Sequence, residues 1–252
     1  MSASSSTNRA AVADAAGAAP LAWPGGLRVG GLTPLTTIDF PGRLAAVVYC
    51  QGCPWRCGYC HNPELLDATV PAATPWPEVL AFLGKRRGLI DGVVFSGGEP
   101  TLQTGLPAAL AEVRAMGFAT ALHTGGMYPE RLAAVLPLLD WVGLDIKGPE
   151  HRYEAITGVP GSGARAWQSL ALLQAHAVAF ECRTTWHEGL FSPQELQTLG
   201  DTLADAGVRH WAVQVCRKGP GVPLAAGADI EAPVGARIPR FEVRGAEKTL
   251  GR

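Results

Sequence analysis

Short apolar runs and helical patterns alternate along this chain from residue 44 to residue 215, and this alternation limits the folds it can adopt. Apolar runs of strand length lie at 44–50, 92–96, 118–123, 140–147, 178–185 and 209–215. Helical patterns lie between them, at 76–87, 105–117, 129–139, 165–176 and 193–206. Successive strands joined by helices run parallel, and right-handed crossovers arrange them either as an open sheet or around a barrel. The periodicity does not choose between these two α/β arrangements.

Composition divides the chain into three predicted parts. Residues 1–26 are rich in Ala and Ser and lack an apolar period, which predicts a flexible N-terminal extension. Residues 27–216 contain the alternating elements and are predicted to form one domain. Residues 217–252 are rich in Pro and Gly, and we expect an irregular C-terminal tail there.

The charge balance excludes several classes of function. The chain has 252 residues, of which 47% are hydrophobic and 17% charged, and its formal net charge is -1. This near-neutral balance provides no basic surface for nucleic acid. No apolar stretch approaches the roughly 18 residues of a membrane-spanning helix, and the start of the sequence shows no signal-peptide pattern. The sequence therefore predicts a cytoplasmic protein that binds neither nucleic acid nor a membrane.

Four of the six cysteines lie within residues 50–60. Cys53, Cys57 and Cys60 follow the spacing C-x3-C-x2-C, which suits an inorganic cluster with one metal position left open. Structural zinc sites usually combine two CxxC turns that lie about a dozen residues or more apart. The spacing therefore favours an iron–sulfur loop, with zinc or structural thiols as the alternative. Cys50 ends an apolar run, and we expect it to be buried rather than a ligand.

Residues with ligand-binding character follow the next two predicted strands. Gly97 and Gly98 lack side chains and allow a ligand to approach the backbone, while Glu99 provides an acceptor for an ammonium group. An ordinary turn is the alternative, because adjacent glycines and a proline often form turns. Thr124 offers a hydroxyl at the end of the following strand. His123 beside it is predicted to be a hydrogen-bonded structural residue rather than a catalyst.

Charged residues on the next two strands are predicted to share one face of the sheet. Alternation places Asp145 and Lys147 on the same side, and Arg183 on the same side as Glu181 and Thr185. The opposite charges of Asp145 and Lys147 suit a zwitterionic ligand, and a structural ion pair is the alternative. No Ser-His-Asp arrangement, phosphate loop or carboxylate pair is evident. We therefore predict no catalytic side chain and expect a cofactor to perform the difficult chemical step.

Two stretches resemble the radical S-adenosylmethionine (SAM) superfamily. They are Asp39-Phe-Pro-Gly-Arg43 and Gln51-Gly-Cys-Pro-Trp-Arg-Cys-Gly-Tyr-Cys-His-Asn-Pro63. The later Gly-Gly-Glu-Pro, Leu-His-Thr-Gly, Asp-x-Lys and Glu-x-Arg-Thr-Thr elements extend the resemblance from residue 31 to about residue 216. Within the superfamily, the chain is most similar to the activating proteins of anaerobic ribonucleoside-triphosphate reductase.

This resemblance implies a fold, two cofactors and a set of site residues. The implied fold is a six-stranded parallel partial barrel of the (βα)6 TIM-like type. Cys53, Cys57 and Cys60 would bind three irons of one 4Fe-4S cluster, and SAM would chelate the fourth iron. His123 stands where some relatives carry an acidic residue of a monovalent-cation site, which places that site in question here. SAM contacts are implied for Tyr59, Gly97, Gly98, Glu99, Thr124, Asp145, Lys147 and Arg183.

The same resemblance implies an activity. The reduced cluster would cleave SAM, and the resulting radical would take hydrogen from a glycine of the reductase. The implied partners are therefore anaerobic ribonucleoside-triphosphate reductase and an electron donor such as flavodoxin or ferredoxin. Two alternatives remain open at this point. One is a radical SAM enzyme that acts on a small molecule or peptide, for example a deazapurine synthase, and the other is a non-enzymatic metal-binding protein.

Overall fold

A computed structural model describes residues 26–216, 230 and 234–245 of this chain, and the element counts here refer to those residues. Of the predicted N-terminal extension, only Gly26 is among them. The eight strands are β1 (Val29–Thr36), β2 (Ala45–Cys50), β3 (Gly92–Gly97), β4 (Ala119–Thr124), β5 (Trp141–Asp145), β6 (Ala179–Trp186), β7 (His210–Val215) and β8 (Arg240–Arg244). The six α-helices are α1 (Trp76–Gly84), α2 (Leu106–Ala115), α3 (Pro129–Val135), α4 (Tyr153–Thr157), α5 (Ser162–Ala175) and α6 (Pro193–Asp205).

All strands belong to one sheet with the order β1 to β8. The six predicted strands are present as β2 to β7 and pair in parallel, which confirms the predicted α/β arrangement. The predicted number of strands is wrong. The described sheet has eight strands, because β1 pairs with β2 in the antiparallel sense and β8 adds to β7 in parallel.

Strand β8 corrects part of the prediction for the C-terminal region. An irregular tail was expected over 217–252, but Arg240–Arg244 pairs with residues 210–214 of β7. Phe241 and Val243 alternate with charged residues in this segment, which is the pattern of a strand with one apolar face. Phe241 packs against Trp211 of β7 with ring centroids 5.2 Å apart. The alternation extends over only five residues, and the Pro- and Gly-rich sequence before it obscures the signal.

The helices cover one face of the sheet and bury its apolar side chains. Leu83 of α1, Val113 of α2 and Leu203 of α6 are each fully buried in a core shared with Phe95 and Leu122 of the sheet. Helix α6 begins at a capping box, in which the Ser192 and Glu195 side chains each bond the other residue's backbone N–H. Within the described residues, no helix combines the length and apolar character needed to cross a bilayer.

The opposite face of the sheet is the inside of a curved wall. Tyr49 of β2 and Gln214 of β7 line one cavity, although five strand spacings of about 4.8 Å would separate them by about 24 Å in a flat sheet. The sheet therefore curves around this cavity, in agreement with the partial barrel implied by the resemblance. Because β1 and β8 do not pair with each other, the described wall is open on one side.

The turn between β1 and β2 places the Phe40 side chain inside the wall below the cavity. Phe40 is 3% exposed and lies in a small apolar cluster with Val47, Val94 and Trp141. Its ring centroid is 6.2 Å from that of Trp141. A Cβ at Gly92 would lie 2.8 Å from the Phe40 ring, so the absence of a side chain there leaves room for it. We call residues 37–43 the plug; Phe40 is the residue that fills the interior, whereas residues 37, 38 and 41–43 are exposed.

Candidate active site

A cavity of about 290 Å³ lies at the carboxyl ends of the parallel strands. This is the edge where α/β sheets and barrels usually carry their sites. All the site residues predicted from the sequence line it, although they come from five separate segments of the chain. They are Cys53, Cys57, Tyr59, Cys60, Gly97, Gly98, Glu99, Thr124, Asp145, Lys147 and Arg183. The sequence therefore located this cavity correctly, while the role of each residue stays a prediction.

The cysteine loop begins where β2 ends. Cys50 is the last residue of that strand and is fully buried in the apolar core, as predicted. Cys53 and Cys57 lie at the cavity, where burial raises the pKa of the Cys53 thiol to about 12 and also raises that of Cys57. A bound cation would favour their thiolate forms, since metal ligation deprotonates cysteine. In the described part of the chain, no three His, Cys, Asp or Glu side chains converge on a point that suits a single metal ion.

Aromatic residues hold the cysteine loop against the barrel. Trp55 is 3% exposed and meets the Tyr153 ring edge to face, with centroids 6.1 Å apart. The backbone N–H of Arg56 donates to the carbonyl of Thr157 at 2.8 Å. Tyr59 is also buried, and its hydroxyl has no hydrogen-bond partner within the described residues. A buried hydroxyl without a partner is costly, so a bound ligand that supplies one fits this position.

The two glycines after β3 contact the cysteine loop directly. Gly97 pairs with Cys50 in the sheet, and Gly98 N–H donates to the carbonyl of Cys50 at 2.9 Å. A Cβ at Gly98 would overlap the carbonyl oxygen of Gly52. A Cβ at Gly97 would lie 2.8 Å from the carbonyl oxygen of Cys50. Gly97 also has a backbone φ of +106°, which residues other than glycine rarely adopt. Close backbone packing therefore requires glycine at both positions, and their predicted role in giving a ligand access to the backbone stays a prediction.

Glu99 lies at the base of the cavity and is 1% exposed. Its Oε1 accepts bonds from the Thr101 backbone N–H, the Thr101 hydroxyl and the Thr124 hydroxyl, the last at 2.7 Å. Its Oε2 accepts the N–H of Gly125 at 3.0 Å. Burial outweighs these hydrogen bonds and raises the pKa of Glu99. The carboxylate thus ties the turn after β3 to the end of β4, and Oε2 retains capacity for a further donor.

Three charged side chains form a row on the inner face of β5 and β6. Lys147 Nζ lies 2.9 Å from Oδ2 of Asp145, and the guanidinium of Arg183 lies 3.0 Å from Oδ1. Burial alone would raise the pKa of Asp145, but Lys147 and Arg183 outweigh it and lower that pKa. The prediction that Asp145 and Lys147 share a face is confirmed. Two cations against one carboxylate leave one positive charge in excess at this row.

His123 connects this charged row to the plug. Its Nε2 lies 2.8 Å from the backbone carbonyl of Asp39 and therefore carries the proton, which leaves Nδ1 to accept from Arg183 at 3.2 Å. Burial, followed by the Arg183 guanidinium, lowers the pKa of His123 to about 3. The ring also stacks edge to face on Trp141, with centroids 5.6 Å apart. His123 is thus a neutral hydrogen-bonded residue, as expected from the sequence.

Removing His123 is expected to change how stability depends on pH. The folded protein keeps His123 neutral down to about pH 3, whereas the unfolded chain takes up this proton near pH 6.5. The unfolded state therefore binds more protons between these values, and stability falls as the pH falls through this window. We expect His123 to account for a loss of about 2 kcal/mol between pH 7 and pH 5. Urea unfolding of the wild type and of a His123→Asn variant at both pH values measures this loss of stability. If both proteins lose the same stability between pH 7 and pH 5, the loss does not come from His123.

Several groups in or beside the cavity were not among the site residues predicted from the sequence. Ser96 and Gln214 line the cavity, and alternation along their strands is the signal that could have identified them. The hydroxyl of Tyr153 accepts the backbone N–H of Lys147 at 2.9 Å, but its helix, α4, has five residues and gives no recognisable period. The carbonyl of Asp39 has no signal in the sequence, because backbone atoms carry no residue-type information.

The chain matches the radical SAM superfamily over residues 47–186, a range that includes the cysteine loop and strands up to the end of β6. The chain belongs to this superfamily. A Methanocaldococcus jannaschii protein named as a glycyl-radical enzyme activating enzyme is 28% identical to it over 196 residues, covering 74% of this chain and 78% of the relative. The pyruvate formate-lyase-activating enzyme of Clostridium pasteurianum is 34% identical over 52% of this chain and 57% of its own length. The 7-carboxy-7-deazaguanine synthase of Thermococcus kodakarensis is 31% identical over 42% of this chain and 50% of its own length.

Solved structures support the same fold. A radical SAM methyltransferase from Sphaerobacter thermophilus matches with a TM-score of 0.65 and 16% identity, covering 83% of this chain and 68% of that one. QueE from Escherichia coli matches with a TM-score of 0.55 and 19% identity, covering 86% and 93%. At these identities the likeness concerns the fold alone.

The site fits the cofactors of the superfamily. Radical SAM proteins use a 4Fe-4S cluster and SAM. The cavity offers three cysteines, which are the usual cluster ligands, beside a charged row that suits a zwitterionic molecule. The buried hydroxyl of Tyr59 and the open position on Glu99 Oε2 provide polar atoms that a ligand can engage.

Proposed function

We propose that this protein is a radical SAM activase that generates a glycyl radical on anaerobic ribonucleoside-triphosphate reductase. The observation that carries the proposal is the convergence of Cys53, Cys57 and Cys60 with the charged row of β5 and β6 on one cavity. Two of the relatives are named as activating enzymes. The choice of this reductase among glycyl-radical enzymes rests on the sequence resemblance given above.

The residues of the cavity have distinct proposed roles. Cys53, Cys57 and Cys60 hold the cluster, and the turn at Gly97 and Gly98 fixes the loop that carries them. When bound, the cluster and SAM supply a one-electron cleavage whose radical takes hydrogen from the target glycine. No side chain is required as an acid, a base or a nucleophile.

The charged groups are proposed to orient SAM. Lys147 and the excess positive charge of its row attract the carboxylate of the methionine portion, and Glu99 accepts from its ammonium group. Thr124 holds Glu99 in place, and Asp145 keeps Lys147 and Arg183 apart at fixed positions. These contacts use charges that the barrel interior already orders, so little side-chain freedom is lost on binding.

Two further assignments belong to this proposal. An electron donor such as flavodoxin or ferredoxin reduces the cluster, and the protein acts in the cytoplasm. A monovalent cation is not required beside His123, because Asp145 already faces two cationic side chains and His123 offers a neutral nitrogen to Arg183. Lys147 and Arg183 supply the positive charge that a bound cation would bring.

A second candidate is a small-molecule radical SAM enzyme of the deazapurine type. The relative from Thermococcus kodakarensis favours it, since its 31% identity is comparable to that of the activating enzymes. Such an enzyme holds its substrate within its own barrel and turns over without a protein partner. The two candidates therefore differ in what they require after SAM cleavage.

One experiment separates these functions. The protein is reconstituted anaerobically with iron and sulfide, reduced, and incubated with SAM and a candidate anaerobic ribonucleoside-triphosphate reductase. We expect 5'-deoxyadenosine to form and a glycyl-radical doublet to develop in the electron paramagnetic resonance spectrum. A reductase whose target glycine is replaced by alanine is the matched control and should give no doublet.

Other outcomes point elsewhere. SAM cleavage with no doublet on any glycyl-radical enzyme supplied, combined with turnover of a deazapurine precursor, would favour the second candidate. A purified protein that holds zinc tightly and does not cleave SAM would contradict both.

A further inference from the structure

Two buried glutamines, Gln51 and Gln103, flank the cysteine loop. Their side-chain amides form hydrogen bonds with backbone atoms around this loop. Gln51 lies between Cys50 and Gly52, and Gln103 follows the short 3-10 helix Pro100–Leu102. Each residue is 2% exposed. Amide side chains at such depth are unusual unless their donors and acceptors are used. Neither residue was predicted from the sequence to belong to the site.

The amide of Gln51 joins the entry of the cysteine loop to its exit. Its Nε2 donates to the carbonyl of Glu64 at 3.0 Å and to that of Asp67 at 2.8 Å. Both carbonyls belong to the segment that follows Cys60, whereas Gln51 precedes Cys53. Both side-chain hydrogens are therefore used to hold the two ends of the loop together.

The amide of Gln103 fixes the same entry segment from the other side. Its Nε2 donates to the carbonyl of Gln51 at 3.1 Å and to that of Arg28 at 2.9 Å, and its Oε1 accepts the Arg28 N–H at 2.7 Å. Arg28 directly precedes β1. Gln103 thus connects the cysteine loop to the first strand and to the segment after Glu99.

Backbone bonds complete the frame that these side chains hold. Gly52 N–H donates to the carbonyl of Leu65 at 2.7 Å, and Cys53 N–H donates to that of Leu66 at 3.1 Å. The exit segment therefore runs beside the entry segment from Gly52 to Cys53. Loss of the Gln51 amide would leave the Glu64 and Asp67 carbonyls without this donor and free the exit segment to shift.

We propose that Gln51 and Gln103 are positioning residues that set the spacing of Cys53 and Cys60 for cluster binding. This inference rests on the proposed ligand role of the cysteines. Neither glutamine lines the cavity. They act through the backbone, by holding the first and last ligands of the loop at a fixed separation. Partners that orient ligands from behind are known to affect metal affinity by about 10-fold or more.

The test uses Gln51→Met and Gln103→Met in the full chain, because methionine keeps a similar length and volume without hydrogen-bond donors. Thr120→Val is the control for general stability. Thr120 is fully buried near the amino end of β4, which is the end of that strand farther from the cavity. Its hydroxyl donates to the backbone carbonyl of Leu138. Iron release from the reconstituted proteins to a ferrous chelator is followed by absorbance. Thermal unfolding of the cluster-free proteins reports their stability.

We expect both methionine variants to release iron about 10-fold faster than the wild type. We also expect broader lines in the electron paramagnetic resonance spectrum of their reduced cluster. Thr120→Val should lower the unfolding midpoint without either effect. Iron release at the wild-type rate in both methionine variants would overturn the inference, and so would equally rapid release from Thr120→Val at matched stability. A wild-type protein that takes up no cluster would overturn the proposed function as well, so the two failures are distinguishable.

Discussion

A Cys57→Ala variant is expected to lose cluster assembly and SAM cleavage completely. Cys57 is the middle cysteine of the loop and lines the cavity beside Tyr59 and Lys147. Three cysteines provide the protein ligands in the proposed site, so removal of one leaves a second iron without a thiolate. Iron and sulfide content after anaerobic reconstitution measures assembly, and 5'-deoxyadenosine formation measures cleavage.

Cys50→Ala is the matched control for this prediction. Cys50 is only seven residues away but is fully buried at the end of β2, with its side chain in the apolar core. Burial raises the pKa of this thiol far above its usual range, which favours the neutral thiol. We expect Cys50→Ala to assemble the cluster and cleave SAM as the wild type does. Equal loss in the two variants would refute the ligand assignment.

A Gly98→Ala variant is expected to show the second largest effect. The added Cβ would overlap the carbonyl oxygen of Gly52 and lie 3.0 Å from that of Leu65. Both contacts are with backbone, so no side-chain rotation relieves them. We expect a loss of about 3 kcal/mol in the free energy of unfolding together with poor cluster retention, because the cysteine loop must move away from the turn. Urea unfolding and iron content measure the two effects.

Gly58→Ala provides the control for added volume in the same region. A Cβ at Gly58 meets no atom within 4 Å, and this glycine lies between Cys57 and Tyr59 in the cysteine loop. We expect its stability to stay within about 0.5 kcal/mol of the wild type. If Gly98→Ala proves as harmless as Gly58→Ala, close packing of the turn against the loop is not what that glycine provides.

The elements that the sequence predicted well are those with long apolar runs. Strands β2 to β7 each contain at least four apolar or small residues, and every one was located within two residues at its start. Strand β1 was missed because Gly30, Gly31 and Pro34 interrupt its pattern. Helix α4 was missed because five residues do not complete two turns.

The site was predicted less evenly than the sheet. Cysteine spacing and the charged positions of β5 and β6 are visible as residue types, so they were identified. The bonds of Gln51 and Gln103 run to backbone carbonyls from other segments, and the sequence contains no record of such contacts. The close packing of Gly98 against the backbone of Gly52 was not predicted for the same reason, and its contact with SAM stays a prediction.

The position of the Phe40 plug bears on how molecules would reach the proposed cofactors. Phe40 fills part of the inside of the wall near the amino ends of the strands, whereas the cavity lies at their carboxyl ends. Under the proposed function, SAM would enter and methionine and 5'-deoxyadenosine would leave at the carboxyl ends of the strands, where the cavity lies. A docked protein partner on that side would delay this exchange, and turnover would slow for as long as the partner stayed attached.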